Sequence, residues 1–205
     1  MKIVDQSMEV LWVTPEPLKI IELAARTCYK SEDKIEPNSE LKLIRKVIIS
    51  GHESVLEHAV LSVKFITDRA VTHELVRHRI ISASQESQRY VSYYGKPLNV
   101  ISPFNDDESE EAFTVWSKAV EHCENAYNQL IDLKIPPQIA RSVLPNCTKT
   151  EIVVTANFRE WRHIISLRCD HTAHPQIRRL IRKVYDWFYE NYPIIVEDLD
   201  INGTT

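Results

Sequence analysis

Apolar positions recur along this chain at two different periods, and the periods divide it into elements. Between residues 107 and 133, Ala112, Trp116, Val120, Cys123, Tyr127 and Leu130 stand three or four apart. That is the spacing of one helical face, and Pro136-Pro137 is expected to end the run. The stripe reads as core or subunit interface, not as cofactor-stacking aromatics. Shorter helical patterns cover residues 18–28, where Leu18, Ile21, Ala25 and Cys28 share a face behind Pro17, and the stretch after Asn38 or Ser39, where Leu41, Ile44, Val47 and Ile48 precede Gly51. Asp68 suits a cap for a helix from Arg69 to about Arg77, and two more helices are predicted over residues 159–167 and from Pro175 to about Tyr189. Period-2 alternation marks a strand at residues 61–66, and Ile152, Val153 and Val154 mark a second over residues 149–157. Residues 2–13 read as another strand, closed by Thr14-Pro15, and the last four residues as a frayed tail. Strands interspersed with long helices, without regular βαβ spacing, predict an α+β fold with a mixed or antiparallel sheet. A length of 205 residues suits a single domain, residues 1–205.

Composition narrows the possibilities. No apolar run approaches the roughly 20 residues that span a bilayer, and the first residues, Met1-Lys2-Ile3-Val4-Asp5, lack a secretory pattern, so neither a membrane nor export is expected. Cys28, Cys123, Cys147 and Cys169 form no Cys-x-x-Cys pair and read as buried free thiols of a cytoplasmic protein. A net charge of −4 argues against a nucleic-acid polymer as partner. Arginines nevertheless gather between Arg69 and Arg89 and between Arg141 and Arg182, while acids crowd residues 106–124; the imbalance suits a small anionic ligand. Only three glycines occur, Gly51, Gly95 and Gly203, too scattered for a Gly-x-Gly-x-x-Gly fingerprint or a phosphate loop. Any nucleotide-like cofactor must then be held by side chains.

The arginines therefore matter. Arg77-His78-Arg79 falls where the helix after Asp68 should end, and cations at a helix C-terminus have a purely structural use. The residues after this triplet point elsewhere. Ser82, Ser84, Gln85, Glu86, Ser87, Gln88 and Arg89 predict a polar loop dense in hydrogen-bonding groups, suited to a phosphorylated flat ligand.

The string from Arg77 to Tyr90 (Arg-His-Arg, seven residues, Ser, then Gln-Arg-Tyr) resembles the signature of the flavin-dependent, or alternative, thymidylate synthases. The resemblance continues in order through His52-Glu53-Ser54 to Glu57-His58, Ala140-Arg141 to Leu144-Pro145, Asn157-Phe158-Arg159 with His163 and Arg168 beyond, and Ala173 to Arg178. It implies that Ser54, Arg77, His78, Arg79, Asn157, Arg159 and His163 contact FAD, with Gln85 beside them and His52 bordering the nicotinamide and folate side. It likewise implies that Glu74, Arg77, Gln85, Glu86, Ser87, Gln88, Arg89 and Arg141 hold dUMP, and that Arg168 faces the uracil and favours ionisation at its N3. The implied reaction converts dUMP to dTMP, with methylenetetrahydrofolate as methylene donor and NADPH as reductant, in a homotetramer with shared sites. Arg168 and Ser87 are then the residues at the chemistry. No cysteine lies in a matched polar loop, and Ser87 has no adjacent base to activate it, so it reads as a positioning group.

Several positions depart from the family pattern: Glu74, Ser84, Gln85, His163, and His174 with Gln176. Most keep hydrogen-bonding ability. A metal is not expected, because His52 and His58 are six residues apart, which turns the rings away from one another on a helix, and His171 and His174 near Cys169 lack a matched second cluster. The competing class is a nucleotide-binding protein without turnover that uses the same arginines.

Overall fold

The computed structural model describes residues 1–104 and 109–201. The acids at Asp106 and Asp107 and the expected tail at 202–205 lie outside the described residues. Among the described residues, six strands and seven α-helices form an α+β fold. Strand β1 (Lys2–Ile3) pairs in parallel with β5 (Asn99–Val100), and a four-stranded sheet has the order β2 (Ser7–Val13), β3 (Val60–Asp68), β6 (Lys149–Asn157), β4 (Ser82–Gln85).

The two central strands show why the period-2 signal was readable. On β3, Leu61, Val63, Phe65 and Thr67 are buried, and on β6 Thr150, Ile152, Val154 and Ala156; the alternate residues are half-buried. The edge strands β2 and β4 are largely exposed. Two expectations need correction here. Residues 2–13 are two strands in different sheets, the change falling at residues 4–6, where the Gln6 side chain donates to Thr67 Oγ1 at 2.7 Å. Residues 82–85 are an edge strand and not loop, since an edge position tolerates polar side chains on both faces.

By contact the chain divides into two compact units. The first comprises Met1–Ser7, Phe65–Leu75 and Ser84–Ile152. Here α3 (Arg69–Leu75) starts at Asp68, whose Oδ1 accepts from the Val71 amide at 2.9 Å, as the sequence predicts. Helix α4 (Glu110–Asp132) lays Val120 on Leu98 and Val100, with Trp116, Tyr93, Leu144 and Cys147 around them. Only Val120 and Tyr127 of its stripe are buried, while Trp116, Cys123 and Leu130 are half-buried and Ala112 is exposed. The helix stops before the prolines, at Lys134, which takes a left-handed φ of 65°; Pro137 instead opens the short α5 (Pro137–Ala140).

The second unit comprises Met8–Lys64, Val76–Ala83 and Val153–Thr205. In it α1 (Pro17–Thr27) packs against α2 (Ser39–Ile49) and against the 3-10 turn Glu53–His58, and α6 (Phe158–Arg168) against α7 (Pro175–Asn191). Gly51, with φ 69°, ends α2 as expected. The buried face of α1 is Pro17, Ile21, Glu22 and Ala25, whereas Cys28 is exposed. The face turns towards Glu22 because its carboxylate accepts from Arg26 Nε at 2.7 Å and from Ser39 Oγ at 2.6 Å, which satisfies the buried charge. Cys169 alone among the cysteines is fully buried, so the expectation of buried thiols holds for one of them.

Candidate active site

Two expected groups of residues fall largely in different units. Ser54, His52, Arg77, His78, Arg79, Asn157, Arg159, His163 and Arg168 belong to the second, and Glu74, Gln85, Glu86, Ser87, Gln88, Arg89 and Arg141 to the first.

In the second unit, the end of β6 passes directly into α6. The Phe158 amide donates to Ala59 O at 2.8 Å, and Asn157 Oδ1 accepts from the Glu160 amide at 2.8 Å, capping the helix. With its start fixed there, α6 buries Trp161, Ile164 and Ile165 and sends Arg159, His163 and Ser166 along the opposite stripe. That stripe lines a cleft of about 570 Å³, together with Glu53, Glu57, Ile80 and Asn157. A second recess of about 360 Å³ shares Glu57, Ile80 and Asn157 and adds Arg79 and Ile81. Arg159 Nη1 pairs with Glu57 at 2.7 Å, but both side chains are about half exposed, and such a pair is worth little in water, so an anionic ligand can compete for the guanidinium. His52 immediately precedes the 3-10 turn without a side-chain capping bond and is exposed, as is Ser54.

His78 sits differently from its neighbours. Arg77 and Arg79 are exposed, whereas His78 is 7 % exposed. Its Nε2 accepts a hydrogen bond from Arg168 Nε at 3.1 Å, so the ring proton resides on Nδ1, which lies 3.5 Å from Glu160 Oε1. Burial, reinforced by the charges of Arg168 and His163, lowers the His78 pKa to about 4, which keeps the ring neutral near pH 7. Burial likewise raises the carboxyl of Glu160, against the opposing pull of His163 and Arg159. The His163 ring meets His78 edge-on at 5.7 Å. His78, Glu160 and His163 bring three ligand-type atoms within 4.8 Å of one another, but the Arg168 guanidinium already donates to one of them, and a second cation there would be repelled.

The first unit holds its expected residues on and after β4. Gln85 donates to Thr72 Oγ1 at 2.9 Å and to Thr150 Oγ1 at 3.3 Å, so its Nε2 is engaged within the unit. Both oxygens of Glu86 are engaged too, by Tyr93 Oη at 2.8 Å and Lys149 Nζ at 3.1 Å. Burial and the Glu86 bond push the Tyr93 phenol well above its usual range. Ser87 Oγ accepts from the Arg89 amide at 3.3 Å, Gln88 is buried, and the Arg89 guanidinium leans over the Tyr90 ring at 5.5 Å. Arg141, half-buried, begins a 3-10 turn after α5 and donates to Gln138 O at 3.3 Å. Glu74 is half-buried on α3.

Sequence reasoning missed Glu160, Arg162, Lys149 and Tyr93. Glu160 stands three residues after Asn157, the spacing of a capping box, which masks its side chain's turn towards His78. Arg162 is buried and bonds Asp198 with both terminal nitrogens, at 2.7 and 2.8 Å, and Glu53 at 3.1 Å, besides the Ile195 carbonyl.

A family model described as thymidylate synthase complementing protein matches residues 9–194. The flavin-dependent thymidylate synthase of Geobacter sulfurreducens is 40% identical over 175 residues, spanning 82% of this chain and 75% of that protein. Its counterpart in Mycolicibacterium vanbaalenii is 37% identical over 201 residues, spanning 89% and 79%. The chain belongs to the flavin-dependent thymidylate synthase family. Its fold also matches the solved structure of the UMP/dUMP methylase PolB from Streptomyces cacaoi bound with 5-Br dUMP, with a TM-score of 0.83 over 96% of both chains at 24% identity. Among the described residues, no helix is long and apolar enough to cross a membrane.

Proposed function

We propose that the chain is an FAD-dependent thymidylate synthase that converts dUMP to dTMP, with methylenetetrahydrofolate as methylene donor and NADPH as reductant. The observation that carries this reading is the donor set of the second unit. Asn157, Arg159 and His163 line a cleft walled by Ile80, and Arg79 lines the recess beside it. Side-chain cations beside the apolar Ile80 and Ile81 fit a flavin nucleotide in a chain without a glycine-rich loop. When bound, FAD supplies the redox chemistry between NADPH and the transferred one-carbon unit.

The chain's own residues do the rest. Arg79 and Arg159 hold the diphosphate and favour negative charge in the cleft. Ser54 and Asn157 add hydrogen bonds, and His52 borders the reductant and folate side. Arg89 and Arg141 hold the dUMP phosphate, Glu74, Gln85, Glu86, Ser87 and Gln88 orient the nucleotide, and Arg77 touches both ligands. Arg168 stabilises the uracil anion, raising electron density at the carbon that takes the methylene.

No cysteine attacks the ring in this scheme. Burial pushes the Cys147 and Cys169 thiols up to about 11, which leaves little thiolate at neutral pH. Thiol alkylation of the protein, followed by assay, is expected to leave turnover within about twofold of the untreated enzyme. A cytoplasmic homotetramer completes the proposal; exposed Ile49, Tyr29, Leu23 and Ile20 of the second unit offer apolar area for association, and native mass spectrometry reads the chain number.

The deciding assay is thymidylate formation from dUMP with FAD, NADPH and methylenetetrahydrofolate. Flavin absorbance that bleaches with NADPH, together with dTMP, supports the reading. Protein that takes up no FAD, or binds dUMP without turnover, overturns it in favour of a nucleotide-binding protein.

A further inference from the structure

Resting on that function, the geometry points to His78 as a positioning residue for Arg168, with Glu160 setting its tautomer, and not as a side-chain ligand of the flavin. Three observations carry this. His78 is 7 % exposed, unlike the exposed Arg77 and Arg79 on either side, so the turn buries this one member of the triplet. Its Nε2 accepts from Arg168 Nε at 3.1 Å, and its Nδ1 faces Glu160 Oε1 at 3.5 Å, so both ring nitrogens are directed at partners inside the chain. Arg168 and Glu160 lie on the same helix, α6, with Glu160 in its first turn and Arg168 its last residue, so the ring ties the end of the helix back to a fixed point near its start.

The guanidinium is planar, and a bond at Nε fixes both the plane and the direction of the two terminal nitrogens. A neutral acceptor achieves this without removing the charge that Arg168 needs. A carboxylate in the same place would pair with the guanidinium and weaken its action on the uracil; a neutral imidazole aims it and leaves it cationic. Glu160 contributes by facing Nδ1, which favours the proton there and leaves Nε2 open to Arg168. If Glu160 were replaced by an amide, the amide could turn its NH2 to Nδ1 and favour the wrong tautomer.

The test compares His78→Leu, His78→Gln and Glu160→Gln with the unmodified protein, measuring flavin content by absorbance, dUMP affinity by equilibrium dialysis, and kcat and KM. His78→Leu is expected to retain FAD and to lower kcat about 10- to 100-fold, the range in which small misplacements of a reacting group act. KM for dUMP should change by less than about threefold, since the phosphate contacts are elsewhere. His78→Gln, which offers an amide oxygen to Arg168, should recover at least about tenfold of that loss. Glu160→Gln should fall between them. Loss of bound flavin from His78→Gln with kcat unchanged after FAD is restored would make His78 a flavin ligand and overturn the proposal. So would a His78→Leu enzyme with kcat within about twofold of the unmodified protein. Should His78→Leu fail to fold, Glu160→Gln decides: kcat unchanged there, with flavin retained, also overturns it. Failure of the unmodified, flavin-loaded protein to form dTMP would instead refute the function itself, and the positioning role with it.

Discussion

His78 and Arg162 are both buried bases of the second unit, and they respond to acid in different ways. Burial and the neighbouring charges hold the folded-state pKa of His78 near 4, below the ordinary 6.5, so between those values the unfolded chain binds a proton that the folded chain refuses. The contribution is fully present above about pH 6.5 and is lost as pH falls towards 4, on the order of 3 kcal/mol in total. Thermal unfolding followed from pH 7 to 4 should show Tm falling across this window, and His78→Gln should flatten the fall; an unchanged slope in the variant would show that other groups cause it. Arg162 acts lower on the scale. Burial alone would raise Asp198, but the hydrogen bonds and charge of Arg162 outweigh it and hold the carboxyl below its ordinary range, so that stability is lost only as pH drops below about 3.8. Arg162→Met, which leaves Glu53 and Asp198 without their cation, is expected to cost about 2 to 4 kcal/mol in chemical denaturation at neutral pH. A cost under about 1 kcal/mol would mean that the exposed side of Asp198 makes the pair no stronger than a surface one.

Among the elements, α6 shows most clearly what could be read in advance and what could not. Its length and its neighbour β6 were legible, because helical spacing and strand alternation both report burial. Glu160 and Arg162 were not, since a charged residue in a helix is ordinarily solvated and no local pattern says that its partner lies 82 or 36 positions away. The same limit explains Glu22 on α1, where Arg26 was visible at i+4 but Ser39 was not. It holds for Glu86 as well, whose two oxygens accept from Tyr93 and Lys149, neither visible as a partner in the sequence. β4 escapes the sequence for another reason: Ser82, Ser84 and Gln85 at an edge, with only Ala83 among them, carry no apolar alternation to detect. For α6 the cap separates stability from binding. Asn157→Ala should cost about 1 kcal/mol in unfolding and also weaken FAD, whereas Asn157→Ser should keep the cap and lose only the flavin contact. Equal destabilisation by both, read from denaturant midpoints, would show that the side-chain oxygen does not cap the helix in solution.

On the scale of the whole chain, the cations proposed to hold the two phosphate groups are divided between the two compact units. The cations assigned to FAD, Arg79 and Arg159, lie in the second unit, and those assigned to the dUMP phosphate, Arg89 and Arg141, in the first. One member of each pair is anchored by a bond within its own unit: Arg159 by Glu57, and Arg141 by the Gln138 carbonyl. Neither pair shares a hydrogen-bond partner with the other among the described residues. Substitutions in two such groups should therefore act independently on the two ligands. Arg141→Ala is expected to weaken dUMP at least tenfold, by removing a charge-assisted contact worth about 1.5 to 3 kcal/mol, while leaving FAD content within about twofold. Arg159→Ala is expected to do the reverse. Equilibrium dialysis with dUMP alongside flavin absorbance reads both, and the double variant should lose the sum of the two effects. If Arg141→Ala released flavin but kept dUMP, the phosphate assignment would fail; if each variant weakened both ligands alike, the two groups of cations would be energetically coupled.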